Sequence, residues 1–435
     1  MKTKLLVSQI APFIVVWAVF YVMTLLSPEL RVLKGNSDFL AQYTAGRLLL
    51  NGQGTHLYDL EAQKQAQERV LASLHSNVEF AEGLLLFSHP PFAALSYSLF
   101  SWLPYVAAFL TWNVFSVACF VTGIAKLVRY YRLHEQPHFE LVLPLCLVFL
   151  PVSATLLQGQ NTSLAFLLAV LAFLDFKQRH GFRAGIWLAA GLVKFQMLPV
   201  PLFILLCKRR WQALAGFLSG SSVLVLISFC VVGLEGLQSY LNLLAEMPGW
   251  VDRFGVDPLK AQCIRGQVFL LLYNRVPALI PAATIALDGI LLILLLRSWK
   301  GKWDTQHPSF DLKFALLIIV ALLVAPHVNF HDLAFLLLPG LILFHYTGSS
   351  GGIPTPKWWR LALFLVGFPL QLLPLISSPV GPVQFNVIGL LLLGGVALCV
   401  IRSLKKSRKL SSCLEQPSGQ EIKLSVGEAG KDPVL

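Results

Sequence analysis

Long apolar runs recur from one end of the chain to the other, separated by short polar connections. Runs of about 18 or more apolar residues are typical of transmembrane helices. Because backbone groups in lipid must be hydrogen-bonded internally, such spans are helical. The pattern therefore predicts an all-α, polytopic transmembrane fold with about twelve spans. Their predicted bounds are 8–27, 105–128, 139–156, 161–176, 182–195, 198–207, 211–232, 277–297, 312–326, 332–346, 360–376 and 383–401.

Two of these segments are too short to cross a bilayer comfortably. Pro199 and Pro201 separate 182–195 from the body of 198–207. The pair is therefore either a short hairpin or one kinked helix followed by a half-helix. Discontinuous helices of this kind often line a cavity at membrane depth.

Composition and charge support a membrane protein. Of 435 residues, 56% are hydrophobic and 13% are charged, and the mean hydropathy is +0.69. A soluble protein of this length would carry roughly twice that share of charged residues. The net charge of +12 is explained by membrane orientation, because the basic residues are confined to alternate connections. Nucleic acid is therefore not an expected partner.

The basic connections define an orientation. They hold Lys126, Arg129 and Arg132; Lys177, Arg179 and Arg183; Lys208, Arg209 and Arg210; Arg297, Lys300 and Lys302; Lys357 and Arg360; and five basic residues between 402 and 409. The opposite short connections hold almost none, so the basic set is predicted to be cytoplasmic, together with both termini. Residues 411–435 are expected to form a disordered cytoplasmic tail. No small-residue cleavage site follows the first apolar run, so we expect that span to be retained.

Residues 1–410 are predicted to form a single membrane domain with two large outer segments, 28–104 and 233–276. In the first, Ser37 is expected to cap a helix over 38–50, and a second helix is expected over 59–74. The apolar stretch 92–103 is too short to span easily, and we place it as an interfacial or re-entrant helix on the outer face.

Unusual polar residues fall at the outer ends of the predicted spans, which favours a shared outward cavity. They are Asp38, His89, Gln158, Gly159, Gln160, Asn161, Lys194, Gln196, Arg265, Gln267 and the run from His327 to Asp332. A carboxylate at a membrane edge is costly, which makes Asp38 the first candidate for a functional group.

Each of these residues also has a structural interpretation. Asp38 could be the acid that a helix N-terminus favours, and Lys194 could extend its ammonium to lipid headgroups. Arg265 could contact interfacial phospholipid. Further alternatives are a simple turn for Gln158, Gln160 and Asn161, and a metal site for His327, His331 and Asp332.

The ordered motifs resemble glycosyltransferase family 87. They are Ser37-Asp38-Phe39 with Tyr43, Ala45-Gly46-Arg47, Gly52 and Leu57-Tyr58-Asp59; His89-Pro90-Pro91-Phe92; Gln158-Gly159-Gln160-Asn161; Ala190 to Lys194 with Pro199; and Pro326-His327 with His331-Asp332. That family belongs to the GT-C superfamily of polytopic enzymes, which take a sugar from a polyprenyl-phosphate donor. The resemblance implies a GT-C-type fold and a polyprenol-phosphate-mannose-dependent alpha-mannosyltransferase-like activity.

The resemblance also implies roles for the candidate residues. Asp38 matches the acidic residue of the first outer loop that acts as the catalytic base. Donor phosphate binding is expected for Lys194, Arg265, His327 and His331. Sugar or acceptor binding is expected for Tyr43, His89, Gln158, Gln160, Asn161, Asn329 and Asp332.

The implied partners are a polyprenyl-phosphate sugar, a glycan or glycolipid acceptor and the lipid bilayer of the plasma (inner) membrane. No cofactor or metal is expected, although a divalent metal stays open. Two other classes of function remain: a transporter or lipid flippase, and a noncatalytic scaffold of an envelope complex.

Overall fold

The computed structural model describes residues 30–135, 149–250 and 257–347 continuously, with Cys146, 253–254 and parts of 15–28 and 391–402. Within these residues the chain is helical and contains no β-strand. The α-helices are α1 (Phe39–Leu50), α2 (Leu60–Ser73), α3 (Pro91–Ser101), α4 (Tyr105–Tyr131), α5 (Leu150–Leu157), α6 (Thr162–Lys177), α7 (Gly181–Ala190), α8 (Pro199–Cys207), α9 (Trp211–Glu246), α10 (Ile264–Leu272), α11 (Ile280–Ser298), α12 (Pro308–Val324) and α13 (Leu337–Thr347).

Three described helices are long and apolar enough to cross a membrane: α4, α9, and α11 with the preceding 3₁₀ turn, which together cover Pro277–Ser298. A shorter apolar helical segment covers Phe330–Tyr346. An all-helical membrane protein is thus confirmed, whereas the number of twelve spans stays a prediction. The predicted span 360–376 and the tail 411–435 lie outside the described residues, as do half of 8–27, most of 383–401 and the first part of 139–156.

The helices of the first outer segment form close to where the sequence predicts them. The structure has α1, α2 and α3 where helices were predicted over 38–50, 59–74 and 92–103. Asp59 caps α2 by accepting hydrogen bonds from the Glu61 and Ala62 amides. Ser37 precedes a helix that begins at Phe39, and its Oγ accepts from the Phe39 amide at 3.3 Å.

The segment 182–207 is a short hairpin, one of the two predicted alternatives. α7 is followed by a 3₁₀ segment, Gly191–Met197, in which Lys194 has non-helical dihedrals, and then by α8. Lys194 pairs with Asp332, just after α12. Lys208, at the end of α8, donates to the carbonyl oxygen of Gly301, which precedes α12. Because those partners lie at opposite ends of α12, α8 runs from the Lys194 end to the Lys208 end. The start of α7 also lies at the Lys208 end, since a Cβ on Gly181 would be 3.3 Å from Gln212 Oε1 at the start of α9. The chain therefore turns back at Lys194.

Small residues let α7 pack closely on α9. A Cβ on Gly185 would lie 2.0 Å from the Ala213 carbonyl oxygen, and one on Gly216 would lie 2.0 Å from the Phe182 carbonyl oxygen. Such close approach of two backbones is common at helix interfaces in membranes. α9 is interrupted at Gly233, which has non-helical dihedrals with a φ of 65°. Glycine adopts such a positive φ without strain.

Gly185→Ala should therefore destabilise the protein by about 1–3 kcal/mol, because backbone atoms of α9 cannot rotate out of the way. The measurement is the thermal unfolding midpoint in detergent. Gly289→Ala in α11 is the matched control, since nothing lies within 4 Å of its added Cβ. An equal midpoint for the two variants would contradict the packing described for α7 and α9.

A buried polar cluster joins four helices at the end of α6 that is opposite Thr162. Lys177 Nζ lies 2.6 Å from Asp311 Oδ1, and both side chains are almost fully buried. The Tyr131 and Tyr346 hydroxyls each donate to Asp311 Oδ2 at 2.8 Å. These contacts join α4, α6, α12 and α13 and satisfy a carboxylate that burial would otherwise make costly.

Candidate active site

The turn between α5 and α6 surrounds the backbone and side chain of Asp38. Gln158 Oε1 accepts a hydrogen bond from the Asp38 amide at 3.1 Å, and Gln160 Nε2 donates to Asp38 Oδ2 at 2.7 Å. Between them, Gly159 has a φ of 58°, and a Cβ there would lie 2.6 Å from Phe39 Cβ. The turn therefore requires glycine on two grounds, dihedral angle and close approach.

The side chain of Gln160 connects Asp38 to Lys194. Its amide nitrogen donates to the carboxylate, and its oxygen accepts from Lys194 Nζ at 3.4 Å. One amide group thus bridges a carboxylate and an ammonium. The carboxylate and the ammonium belong to distant segments, α1 and the turn of the 182–207 hairpin, which only the tertiary fold brings together.

Lys194 lies in a buried ion pair. Its Nζ is 2.8 Å from Asp332 Oδ1, with 3% and 1% of the two side chains exposed. His331 Nε2 lies 3.4 Å from the same Nζ, and Thr162 Oγ1 donates to Asp332 Oδ1 at 3.1 Å. Asp332 also accepts from the Asn329 amide at 3.0 Å, which completes a capping box. The alternative in which Lys194 extends to lipid headgroups is therefore wrong.

Asp38 is half-buried, and its environment changes its acidity. Burial raises the pKa of Asp38, while the Gln160 hydrogen bond and the Lys194 charge act in the opposite direction. Although Asp38 is the N-cap of α1, its side chain makes no capping hydrogen bond. The carboxylate accepts from Gln160 instead. Its position at the start of α1 agrees with the alternative of an acid that a helix N-terminus favours, so the structure leaves that interpretation standing beside the functional one.

His89 belongs to the same neighbourhood. Burial and the nearby Lys194 charge lower the pKa of His89 to about 3, so the ring is neutral at physiological pH. Its carbonyl oxygen accepts from the Tyr58 hydroxyl at 2.7 Å, and its ring packs edge-on against Phe87. A neutral imidazole can donate or accept a hydrogen bond but cannot neutralise a phosphate.

Asn161 adjoins the cluster and holds the hairpin turn, since its Nδ2 donates to the Val193 carbonyl oxygen at 3.2 Å. Its Oδ1 and the nearby Ser163 Oγ are buried and lack a hydrogen-bond partner in the described part of the chain. Buried polar atoms of this kind are unusual in native proteins. Both residues lie just after the Gln158–Gln160 turn, so these two polar atoms are close in sequence to the groups that contact Asp38.

The structure places other predicted site residues at a distance from Asp38 or in other contacts. Tyr43 packs among Phe39 and Tyr105, and its hydroxyl donates to the Leu103 carbonyl oxygen at 2.8 Å. Arg265, in the first turn of α10, is half-buried and donates to the Pro326 carbonyl oxygen at 3.2 Å. Burial lowers the pKa of the adjacent His327. None of these three contacts the carboxylate of Asp38.

Two residues of the cluster are not among the predicted site residues. Gly159 belongs to the Gln158–Asn161 motif, and Thr162, which follows that motif directly, donates to Asp332. As for a metal, no group of three or more His, Cys, Asp or Glu side chains in the described residues is arranged to hold one. The role of a divalent metal stays untested.

The site contains a half-buried carboxylate, Asp38, which is hydrogen-bonded through the Gln160 side chain to the ammonium of Lys194. Such a pair of groups is suited to catalysis. Residues 87–326 match glycosyltransferase family 87. Because the match covers more than half of the chain, the protein belongs to that family and is a glycosyltransferase. Gln160 and Lys194 lie within the matched residues, whereas Asp38 and Asp332 lie outside them. No curated protein and no solved structure matches the chain.

Proposed function

We propose that this glycosyltransferase moves a sugar, with mannose favoured, from a polyprenyl-phosphate donor to an envelope glycan or glycolipid on the extracytoplasmic face of the plasma membrane. The observation that carries the proposal is the hydrogen-bonded series from Asp38 through Gln160 to Lys194. It holds a candidate base and a candidate phosphate-binding cation at one site, as an inverting transfer from a lipid phosphate requires.

In the proposed reaction, Asp38 removes the proton from an acceptor hydroxyl while that oxygen attacks the anomeric carbon. The bond between that carbon and the phosphate oxygen breaks at the same time, and the lipid phosphate leaves with both bonding electrons. The anomeric centre is inverted in this single displacement. A second carboxylate is unnecessary because phosphate is already a good leaving group. Asp38 Oδ2 is held by Gln160, and the other carboxylate oxygen is available to the acceptor.

Lys194 would meet the charge that develops on the departing phosphate. An ammonium has three donors, and Asp332 takes the shortest contact, at 2.8 Å. The contacts to Gln160 and His331, both 3.4 Å, are long enough to be exchanged for phosphate oxygens. Asp332 would then fix the position of the cation while leaving part of it free for the donor.

The proposed orientation places the site outside the cell and the basic connections inside. Asp38, Gln160 and Lys194 lie at the N-terminal end of α6, whereas Lys177 and Arg179 lie at its other end. A helix of 16 residues is about 24 Å long, close to the thickness of a bilayer core. Residues 1–410 would then act as a single membrane domain, with both termini in the cytoplasm.

Gln160→Leu is expected to move the acid limb of the pH profile of kcat/KM to higher pH by about one unit. The Gln160 hydrogen bond favours ionised Asp38 and lowers its pKa. Its loss therefore raises that pKa, and the base becomes active only at higher pH. Gln158→Leu is the control, because Gln158 contacts the Asp38 amide and not its carboxylate. An acid limb that stays in place in Gln160→Leu would contradict Asp38 as the base.

The donor class can be tested with purified protein in lipid vesicles. Labelled sugars would be offered as polyprenyl phosphates and, separately, as nucleotide diphosphates, together with a panel of glycan and glycolipid acceptors. The proposal predicts transfer from the lipid-linked donors only. Transfer from a nucleotide sugar alone would overturn the donor assignment and leave the family assignment intact.

A further inference from the structure

A basic cavity lies at the opposite end of the helices from Asp38. It has a volume of about 460 Å³ and is bordered by Arg179, Arg210 and Lys302, with the single carboxylate of Asp304. The three cations come from three separate connections: between α6 and α7, between α8 and α9, and between α11 and α12. Like charges on unrelated loops repel, so their convergence on one cavity favours an anionic occupant.

The cations are free to bind an anion. Within the described residues, Arg179, Arg210 and Lys302 form no ion pair, and Asp304 accepts a hydrogen bond from the Gln306 amide. Arg210 lies with its guanidinium 5.2 Å from the centre of the Trp303 ring, which fixes its direction. Guanidinium groups held in this way are suited to phosphate oxygens, which they can bind through two parallel hydrogen bonds.

An apolar crevice lies beside the cavity. Phe176 and Trp303 border both, and residues of α6, α8 and α12 line the crevice as far as Lys194. Its walls are otherwise apolar, with Trp187, Pro201 and Leu317 among them, and its volume is about 50 Å³. A charged cavity beside a narrow apolar crevice suits the polarity of a lipid at the point where an anionic headgroup meets its acyl chains.

We propose that this cavity and crevice bind an anionic phospholipid of the leaflet at the basic end, which the charge pattern predicts to be cytoplasmic. The phosphate contacts Arg179, Arg210 and Lys302, and the first methylene groups of one acyl chain lie against Phe176 and Trp303 at the crevice. The three cations outnumber the single carboxylate of Asp304, and an electroneutral lipid would leave this net positive charge uncompensated, so a net negative headgroup is preferred. The lipid would lie beside the hairpin of α7 and α8, whose residues Trp187 and Pro201 line the crevice.

The test compares wild type with Arg179→Gln/Lys302→Gln and with Lys126→Gln/Arg129→Gln. The latter pair removes the same charge from exposed positions near the end of α4, outside the cavity. Phospholipid retained by the purified proteins would be identified by native mass spectrometry. Thermal unfolding would then be measured with added phosphatidylglycerol, phosphatidylcholine or inorganic phosphate.

We expect wild type and the Lys126/Arg129 variant to retain an anionic phospholipid and to be stabilised by phosphatidylglycerol alone. The dissociation constant of the Arg179/Lys302 variant for that lipid should be at least about tenfold higher than that of wild type. The proposal is overturned if all three proteins bind it equally, if phosphatidylcholine stabilises as well, or if inorganic phosphate reproduces the effect. Because the readouts are lipid retention and unfolding, they are independent of whether the proposed sugar transfer is correct.

Discussion

Asp38→Asn is expected to lower the rate of sugar transfer by about 10²–10⁴-fold, the usual contribution of a positioned general base. The substitution keeps the size of the side chain and an oxygen that can accept from Gln160 Nε2, so the turn around it should stay intact. What it removes is the ability to take a proton. The measurement is kcat with a saturating lipid-linked donor, alongside the thermal unfolding midpoint.

Asp257→Asn is the matched control for this variant. Asp257 is also a buried carboxylate, 8% exposed, and it accepts from the Leu259 amide, a contact that asparagine preserves. Its ion partner, Lys260, is on the surface, so the loss of charge there should have little effect. Full activity of Asp38→Asn with an unchanged midpoint would exclude Asp38 as the base.

Lys194→Met should destabilise the protein by about 3–5 kcal/mol and abolish transfer. The ammonium is buried with Asp332, and its removal leaves the carboxylate without a counter-charge in a site that water hardly reaches. Thermal unfolding and transfer would be measured together. The two losses have different causes, and a second variant can separate them.

Lys194→Met/Asp332→Asn removes both charges and should recover most of the lost stability, because no unpaired charge remains buried. Asparagine can still accept from the Asn329 amide, which preserves the capping box. Transfer should stay low, since the cation that meets the phosphate is still missing. A double variant that regains transfer along with stability would show that Lys194 acts only as a structural partner of Asp332.

Sequence periodicity and helix signals were sufficient to predict the outer-segment helices. α1 starts one residue later than the predicted 38–50, and α2 is one residue shorter at each end than the predicted 59–74. The agreement is close because capping and helix propensity act locally. For 182–207 the sequence allowed either a short hairpin or a kinked helix followed by a half-helix. Only tertiary contacts, such as those of Lys194 and Lys208, distinguish the two. Hydropathy cannot determine which short apolar segments pair with each other.

The candidate site was predicted as a set of residues at one membrane edge, and Asp38, Gln160 and Lys194 are indeed neighbours. Their partners could not be predicted. Lys194 pairs with Asp332, which is remote in sequence, and no local pattern specifies such a contact. Tyr43 looked like a site residue from its motif, yet its hydroxyl is bonded to the Leu103 carbonyl oxygen within an aromatic cluster. Side-chain direction within a helix depends on packing, which a motif does not contain.

Sugar transfer from a lipid-linked donor can be observed in proteoliposomes. Vesicles would carry purified protein, a polyprenyl-phosphate sugar labelled in the sugar, and an acceptor panel; both the fate of the label and the leaflet of the donor would be followed. Wild type is expected to move the label to an acceptor with inverted anomeric configuration, and Asp38→Asn is expected not to. Donor that crosses between leaflets with its sugar still attached, without any transfer, would contradict the account and favour a lipid flippase.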